Sequence, residues 1–202
     1  TIALEDSFGD DFIIGGEDVD GLDIDVIDAS GIATGGVTVI SSNESGGVVQ
    51  GADSADFSEI ESFILTDQDD TFSAFGAADV TVDAGAGINI LREGSGLNTF
   101  SGGDGNDTFE VGYGTSDIDG GAGTDTISAV ESDDAFSVSF NNDGTGSYTD
   151  LTDSDSGTFT SIEAVQGSSG ADIVDASASS DAIEVNAGDG ADSVTGSTSN
   201  DT

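Results

Sequence analysis

The chain has 202 residues, of which 42 are Asp or Glu and only one, Arg92, is basic, so its formal charge is −41. With no His, Cys or Lys it lacks the partner bases that activate a nucleophilic side chain and the usual zinc ligands. One cation cannot neutralise a phosphate backbone or hold an anionic bilayer, and no apolar run approaches the ~18 residues of a membrane span.

The absence of Met, with a chain beginning Thr1-Ile2, implies a processed product or a segment of a longer polypeptide. Hydrophobic residues make up 35 % and aromatics 6 %, so disorder competes with folding. Two unit charges about 5 Å apart repel by roughly 0.8 kcal/mol even in water, and a compact state of this chain therefore needs cations.

From the N-terminus, Gly9, Asp11 and Ile13 have the spacing of a turn followed by an inward apolar residue, and 1–28 reads as a degenerate coil region. Over 29–56, Val37 and Val39, a Ser45-Gly46-Gly47 turn, then Val48 and Val49 predict a strand or hairpin insertion. The stretch 57–128 then becomes periodic. Leu65–Ser73 carries Asp70 and Phe72, Asp79 follows, and from Ala84 to Ser128 five nine-residue units run without a gap. Gly recurs at their second and fourth positions, and the sixth positions are Asn89, Asn98, Asp107, Ser116 and Asp125. The eighth positions are Leu91, Phe100, Phe109, Ile118 and Ile127.

A second insertion is predicted over 129–158, with Phe136, Val138 and Phe140, a hairpin-type Asn142-Asp143-Gly144, then Tyr148 and Leu151. Looser units fill 159–202: Asp172, Asp181 and Asp192 stand two places before Val174, Ile183 and Val194, and Asp189 lies in the last of these turns. A longer repeat overlays the short one. Residues 57–72 align with 159–174 at an offset of 102, pairing Phe57 with Phe159, Ile60 with Ile162, Glu61 with Glu163 and Asp70 with Asp172.

In each nonapeptide, positions one to six make a turn and seven to nine a short strand with its central apolar side chain inward. One unit cannot bury that side chain alone, so units must stack. Two facing nonapeptides make an 18-residue coil, and 1–202 is expected to form one continuous all-β solenoid with residues 18 apart stacked on one edge. Acids outside the turns, such as Glu44, Glu59, Asp150, Asp153 and Asp155, read as solvated surface. Arg92 is placed to pair with Glu110 one coil on, and Tyr113 and Tyr148 are candidates for sugar contact.

GGDGNDTFE at 102–110 and GGAGTDTIS at 120–128 satisfy the GGxGxDxUx pattern, with U apolar, and AGDGADSVT at 187–195 lacks only its first Gly. In these motifs the chain resembles the RTX family of secreted bacterial proteins, clearly over 84–128 and loosely over most of its length. SEIES and TSIEA also resemble the segments that lead into RTX arrays. The resemblance implies a right-handed parallel β-roll with several Ca2+ ions between stacked turns, held by turn carbonyls and the sixth-position Asp. Carried over by position, the implied metal residues are Gly102, Asp104, Gly105, Asp107, Gly120, Gly123, Asp125 and Asn89. The looser units add Asp11, Asp70, Asp79, Asp172, Asp181, Asp189 and Asp192. Calcium suits hard carboxylate and carbonyl oxygens in flexible turns, and each ion removes two of the negative charges, which couples binding to folding.

Gly- and Asp-rich turns also close without metal, which leaves a metal-free solenoid open as an alternative. The leading expectation is a secreted, non-enzymatic, calcium-stabilised structural module of an adhesin, surface layer or filament. Self-association or continuation in a longer array would follow. The alternative is a polysaccharide-binding accessory module of a secreted RTX enzyme. Carboxylate-pair glycoside hydrolysis is the one common mechanism the composition permits, and no constellation for it stands out. Outward Thr does not recur regularly enough for ice binding. Metal loading is expected on the Asn89/Asp107/Asp125 edge, while the edge carrying Asn98 and Ser116 is expected to be held by amide and hydroxyl hydrogen bonds.

Overall fold

The computed structural model describes residues 1–6, 8–15, 24–43, 45–130, 132–142 and 144–202. All regular structure among them is β-strand, arranged as one eleven-stranded and one ten-stranded sheet. The chain passes from one sheet to the other almost strand by strand. Leu97–Asp104 and Thr115–Ala122 lie in the larger sheet, whereas Ile90–Arg92, Thr108–Glu110 and Thr126–Ser128 lie in the smaller.

The nonapeptide period sets the register. Leu91, Phe109 and Ile127 are parallel partners in one sheet, and Val82, Phe100 and Ile118 in the other, each step being 18 residues. Elsewhere the step stretches, to 19 between Phe72 and Leu91 and to 20 between Val174 and Val194. Strand alternation puts every eighth-position side chain inside: Leu91, Phe100, Phe109, Ile118 and Ile127 are all buried in a single apolar core. That core is thin enough for rings to meet across it. Phe63 of Ser62–Ile64 in the larger sheet lies 5.0 Å from Phe72 of Thr71–Phe75 in the smaller, and Phe72 lies 6.1 Å from Phe100.

The two predicted insertions are three-stranded antiparallel meanders built into the sheets. Thr38–Ser42, Ser45–Gln50 and Asp53–Ser58 join the smaller sheet, and Phe136–Phe140, Thr145–Asp150 and Ser156–Thr160 join the larger. Ser45-Gly46-Gly47 is not a turn but the start of the middle strand. Gly46 is cross-strand partner to Phe57, and a Cβ there would come within 2.8 Å of the Phe57 ring; Gly146 opposite Phe159 repeats the arrangement. The glycine makes room for an aromatic ring that lies over its backbone. Gly144, with φ of +74°, lies in the second hairpin connection, whereas Glu44 and Asp143 fall outside the described residues.

Candidate metal centre

In the five units of 84–128 the sixth-position side chain is buried at the core edge rather than exposed to solvent. Along the edge that leads into the smaller sheet, Asp70 N–H donates to Asn89 Oδ1 at 2.9 Å, Asn89 N–H to Asp107 Oδ1 at 2.7 Å, and Asp107 N–H to Asp125 Oδ1 at 2.8 Å. Asp125 N–H continues to Glu163 Oε2 at 3.0 Å. Asp70 itself accepts from Val37 N–H at 2.6 Å and Thr66 N–H at 2.8 Å. Asp70, Asn89, Asp107 and Asp125 are each at most 2 % exposed. The sequence builds this column because Gly103 and Gly105, with φ of +94° and +136°, turn the chain in a way that side-chained residues rarely adopt.

One oxygen of Asp107 and of Asp125 is used in this ladder. The other is not: Asp107 Oδ2 and Asp125 Oδ2 are buried without a hydrogen-bond partner. An unpaired buried carboxylate oxygen is costly, which is a reason to look for a ligand. Both oxygens face the first-position glycine of their own turn. A Cβ on Gly102 would sit closer than 3.0 Å to Asp107 Oδ2 and to the carbonyl oxygen of Gly120 in the next coil. A Cβ on Gly120 would likewise meet Asp125 Oδ2 and Ser161 O, and one on Gly167 would meet Asp172 Oδ2 and Ala187 O. Each cradle thus pairs a carboxylate oxygen with a main-chain carbonyl from the next coil. Among the described residues no three acidic side chains converge, so a cation here would draw much of its shell from main-chain carbonyls. Such hard oxygen donors fit calcium.

Burial raises these carboxyls above the ordinary 3.8, with Asp125 pushed up to about 6 and Asp70 and Asp107 moved in the same direction. Hydrogen bonds from the ladder pull the other way without offsetting the desolvation.

Along the opposite edge of 84–128 Asn98 Nδ2 donates to Gly94 O at 3.0 Å and Gly96 O at 3.1 Å, and Ser116 Oγ donates to Glu93 Oε2. This edge is not uncharged. Glu93, 1 % exposed, accepts Gly112 N–H at 2.6 Å and Tyr113 N–H at 2.9 Å on one oxygen and the Tyr148 hydroxyl at 2.7 Å on the other. A first-position acid from one coil thus fills the turn of the next. Beyond the second meander the acidic column changes edge: Phe136 N–H donates to Asp172 Oδ1 at 2.7 Å, and Asp172 N–H to Asp192 Oδ1 at 3.0 Å, ahead of strands in the larger sheet.

Asp70, Asn89, Asp107, Asp125, Asp172 and Asp192 therefore sit in stacked columns, with Gly102 and Gly120 beside them. Asp79 is exposed and accepts Leu97 N–H at 2.7 Å on the Asn98 edge, an outer fifth-position bond like the one from Thr124 N–H to Asn106 at 3.0 Å on the other edge. Asp11, in the strand Asp10–Ile14, is exposed, as are Asp104, Asp181 and Asp189. Glu61, Glu93, Glu163 and Asp201 were not singled out as site residues by the nonapeptide frame. Asp201 accepts Ile183 N–H at 3.0 Å and so does for the last coil what Asp181 was expected to do. Ile183 donates that bond as Asp107 does in the central coils, so the looser unit has slipped by two places.

Arg92 pairs with Glu110 at 3.7 Å, as its position one coil earlier predicts, and its guanidinium stacks 4.4 Å from the Tyr113 ring centre and 5.5 Å from that of Phe75. Tyr148 is buried and cannot touch a sugar. Arg92→Ala should cost the folded chain only about 0.5–1 kcal/mol, read from a denaturant midpoint, because both partners remain partly solvated. Compared with known proteins, the chain matches no protein-family model and no curated protein sequence.

Proposed function

We propose that this chain is a calcium-binding, secreted structural module of the RTX type. In this reading it is a parallel β-roll of 18-residue coils that adopts its compact form when Ca2+ enters between stacked turns. It has no catalytic role and works as a rigid element of an adhesin, surface layer or filament. The observation that carries the reading is the pair of buried, unpartnered oxygens, Asp107 Oδ2 and Asp125 Oδ2, each turned toward a glycine that also faces a carbonyl of the next coil. The formal charge of −41 supplies the driving force, since each ion cancels two charges in a chain with one cation. Among the described residues the end strands of both sheets have a neighbour on one side only, which fits self-association or continuation in a longer array.

The test is a calcium titration at pH 7.5 and low salt, followed by circular dichroism and small-angle scattering and reversed with chelator. The chain should pass from expanded and sheet-poor to compact and sheet-rich, and the forward scattering should report whether copies associate. Equal compactness after exhaustive chelation would remove the reading.

A further inference from the structure

The best nonapeptide turn ends where the second meander begins, so Asp125 has no glycine–aspartate turn stacked beyond it. Its partner is instead the segment Ser161-Ile162-Glu163. Glu163 Oε2 accepts Asp125 N–H at 3.0 Å, and the N–H groups of Glu163 and Ala164 donate to Asp125 O at 3.1 and 2.9 Å. Ser161 is one of only four non-glycine residues with positive φ among the described residues, at 56°. That conformation costs a side-chained residue energy. Its carbonyl oxygen faces the same place beside Gly120 that the buried, unpartnered Asp125 Oδ2 faces.

The first meander ends in the same way. Glu61 Oε2 accepts Asp25 N–H at 2.8 Å, and Glu61 and Ser62 N–H donate to Asp25 O at 3.3 and 3.0 Å. Glu59, which stands 102 residues before Ser161, has φ of 61°. A Cβ on Gly15 would collide with Glu59 O and Asp25 Oδ2. Carboxylate, strained carbonyl, capping glutamate and small glycine recur together in both copies. A device that only closed a turn would not require a left-handed residue twice at the position whose carbonyl faces the carboxylate, and at the second joint that carboxylate oxygen, Asp125 Oδ2, is buried without a partner.

We infer that each module carries a joint cation site where the meander rejoins the stack. One site is formed by Asp125, the Ser161 carbonyl and Glu163, and the other by Asp25, the Glu59 carbonyl and Glu61. The ligand class is a hard divalent cation, calcium in a secreted setting. These sites differ from those between two glycine–aspartate turns because their second half comes from a Glu-bearing turn with no glycine. Their role is to clamp the meander to the stack. The inference rests on the calcium reading above.

Crystals of the full chain grown in calcium chloride, with anomalous diffraction measured at long wavelength, give the test. A peak is expected within coordination distance of Asp125 and Ser161 O, and a second near Asp25 and Glu59 O. Glu163→Gln and Glu61→Gln each keep an oxygen to accept the main-chain N–H but remove the charge, and each should abolish one peak and lower the calorimetric stoichiometry by one ion. If either variant fails to fold, the wild-type map alone decides. Peaks beside Gly102 and Asp107 with nothing at either joint would overturn the joint sites and leave the calcium reading standing. No anomalous peak anywhere would overturn both.

Discussion

Calcium-free protein brought from pH 7.5 to about pH 4.5 at low concentration should collapse into a compact, sheet-rich state without any metal. Burial lifts Asp125 to about 6 in the folded chain, and shifts Asp70 and Asp107 upward as well, against 3.8 for the ordinary carboxyl. Between those values the folded state holds protons that the unfolded state has released. Stability from Asp125 is thus fully present below about 3.8 and is lost as pH rises through about 6, and Asp70 and Asp107 act in the same direction. Neutralisation of the other acids acts in the same direction by weakening self-repulsion. In calcium the sign reverses for the metal itself, because protons compete for the same oxygens, and acid should release ions while the fold persists. Scattering and circular dichroism in chelator across this range provide the measurement. Continued expansion down to pH 4.5 would mean that the buried carboxylates are not what opposes folding.

The second large effect concerns Glu93. Charge counting alone predicts that its removal stabilises a chain of net charge −41, since it deletes one negative site. The hydrogen bonds predict the opposite. Glu93→Ala would strand the N–H groups of Gly112, Tyr113 and Gly114 and the hydroxyls of Ser116 and Tyr148 in a water-poor edge. Leaving buried donors unpaired costs about 1–3 kcal/mol each, more than the relief of one surface-type repulsion. Glu93→Gln, which keeps an acceptor for the turn, should lose less. Denaturant unfolding in saturating calcium distinguishes the outcomes by sign. The Tyr148 hydroxyl, whose titration burial and the neighbouring Glu93 hold well above 10.0, supplies an optical readout, because it should titrate more readily once the carboxylate is gone.

The parts of this fold legible in the sequence are those that repeat. Gly at the second and fourth positions and apolar residues at the eighth define the 18-residue register from Leu91 through Phe109 to Ile127, because both turn geometry and inward facing depend on residue type alone. Legibility fails where a residue acts outside its own unit. Glu93 occupies a first position, yet its work is done in the turn of the following coil, so no pattern within one nonapeptide identifies it. The acid has in effect moved from the sixth position, where Ser116 stands, to the first position of an earlier unit. Glu61 and Glu163 were visible as a matched pair at an offset of 102, but their capping of Asp25 and Asp125 depends on the meanders bringing distant segments together. Ser45-Gly46-Gly47 misleads for a related reason: its glycines answer to the Phe57 ring on the neighbouring strand and not to local chain reversal.

The two meanders lie in opposite sheets, and that placement governs how modules add up. Each inserts two extra strands into one wall, about 10 Å of additional length at strand spacing. Had both entered the same wall, the excess would accumulate and a tandem series would curl toward an arc. With the first in the ten-stranded wall and the second in the eleven-stranded wall, the surplus on one side is repaid on the other. Across the two meanders the added lengths balance, so the bend that one would introduce is offset by the other about a hundred residues on.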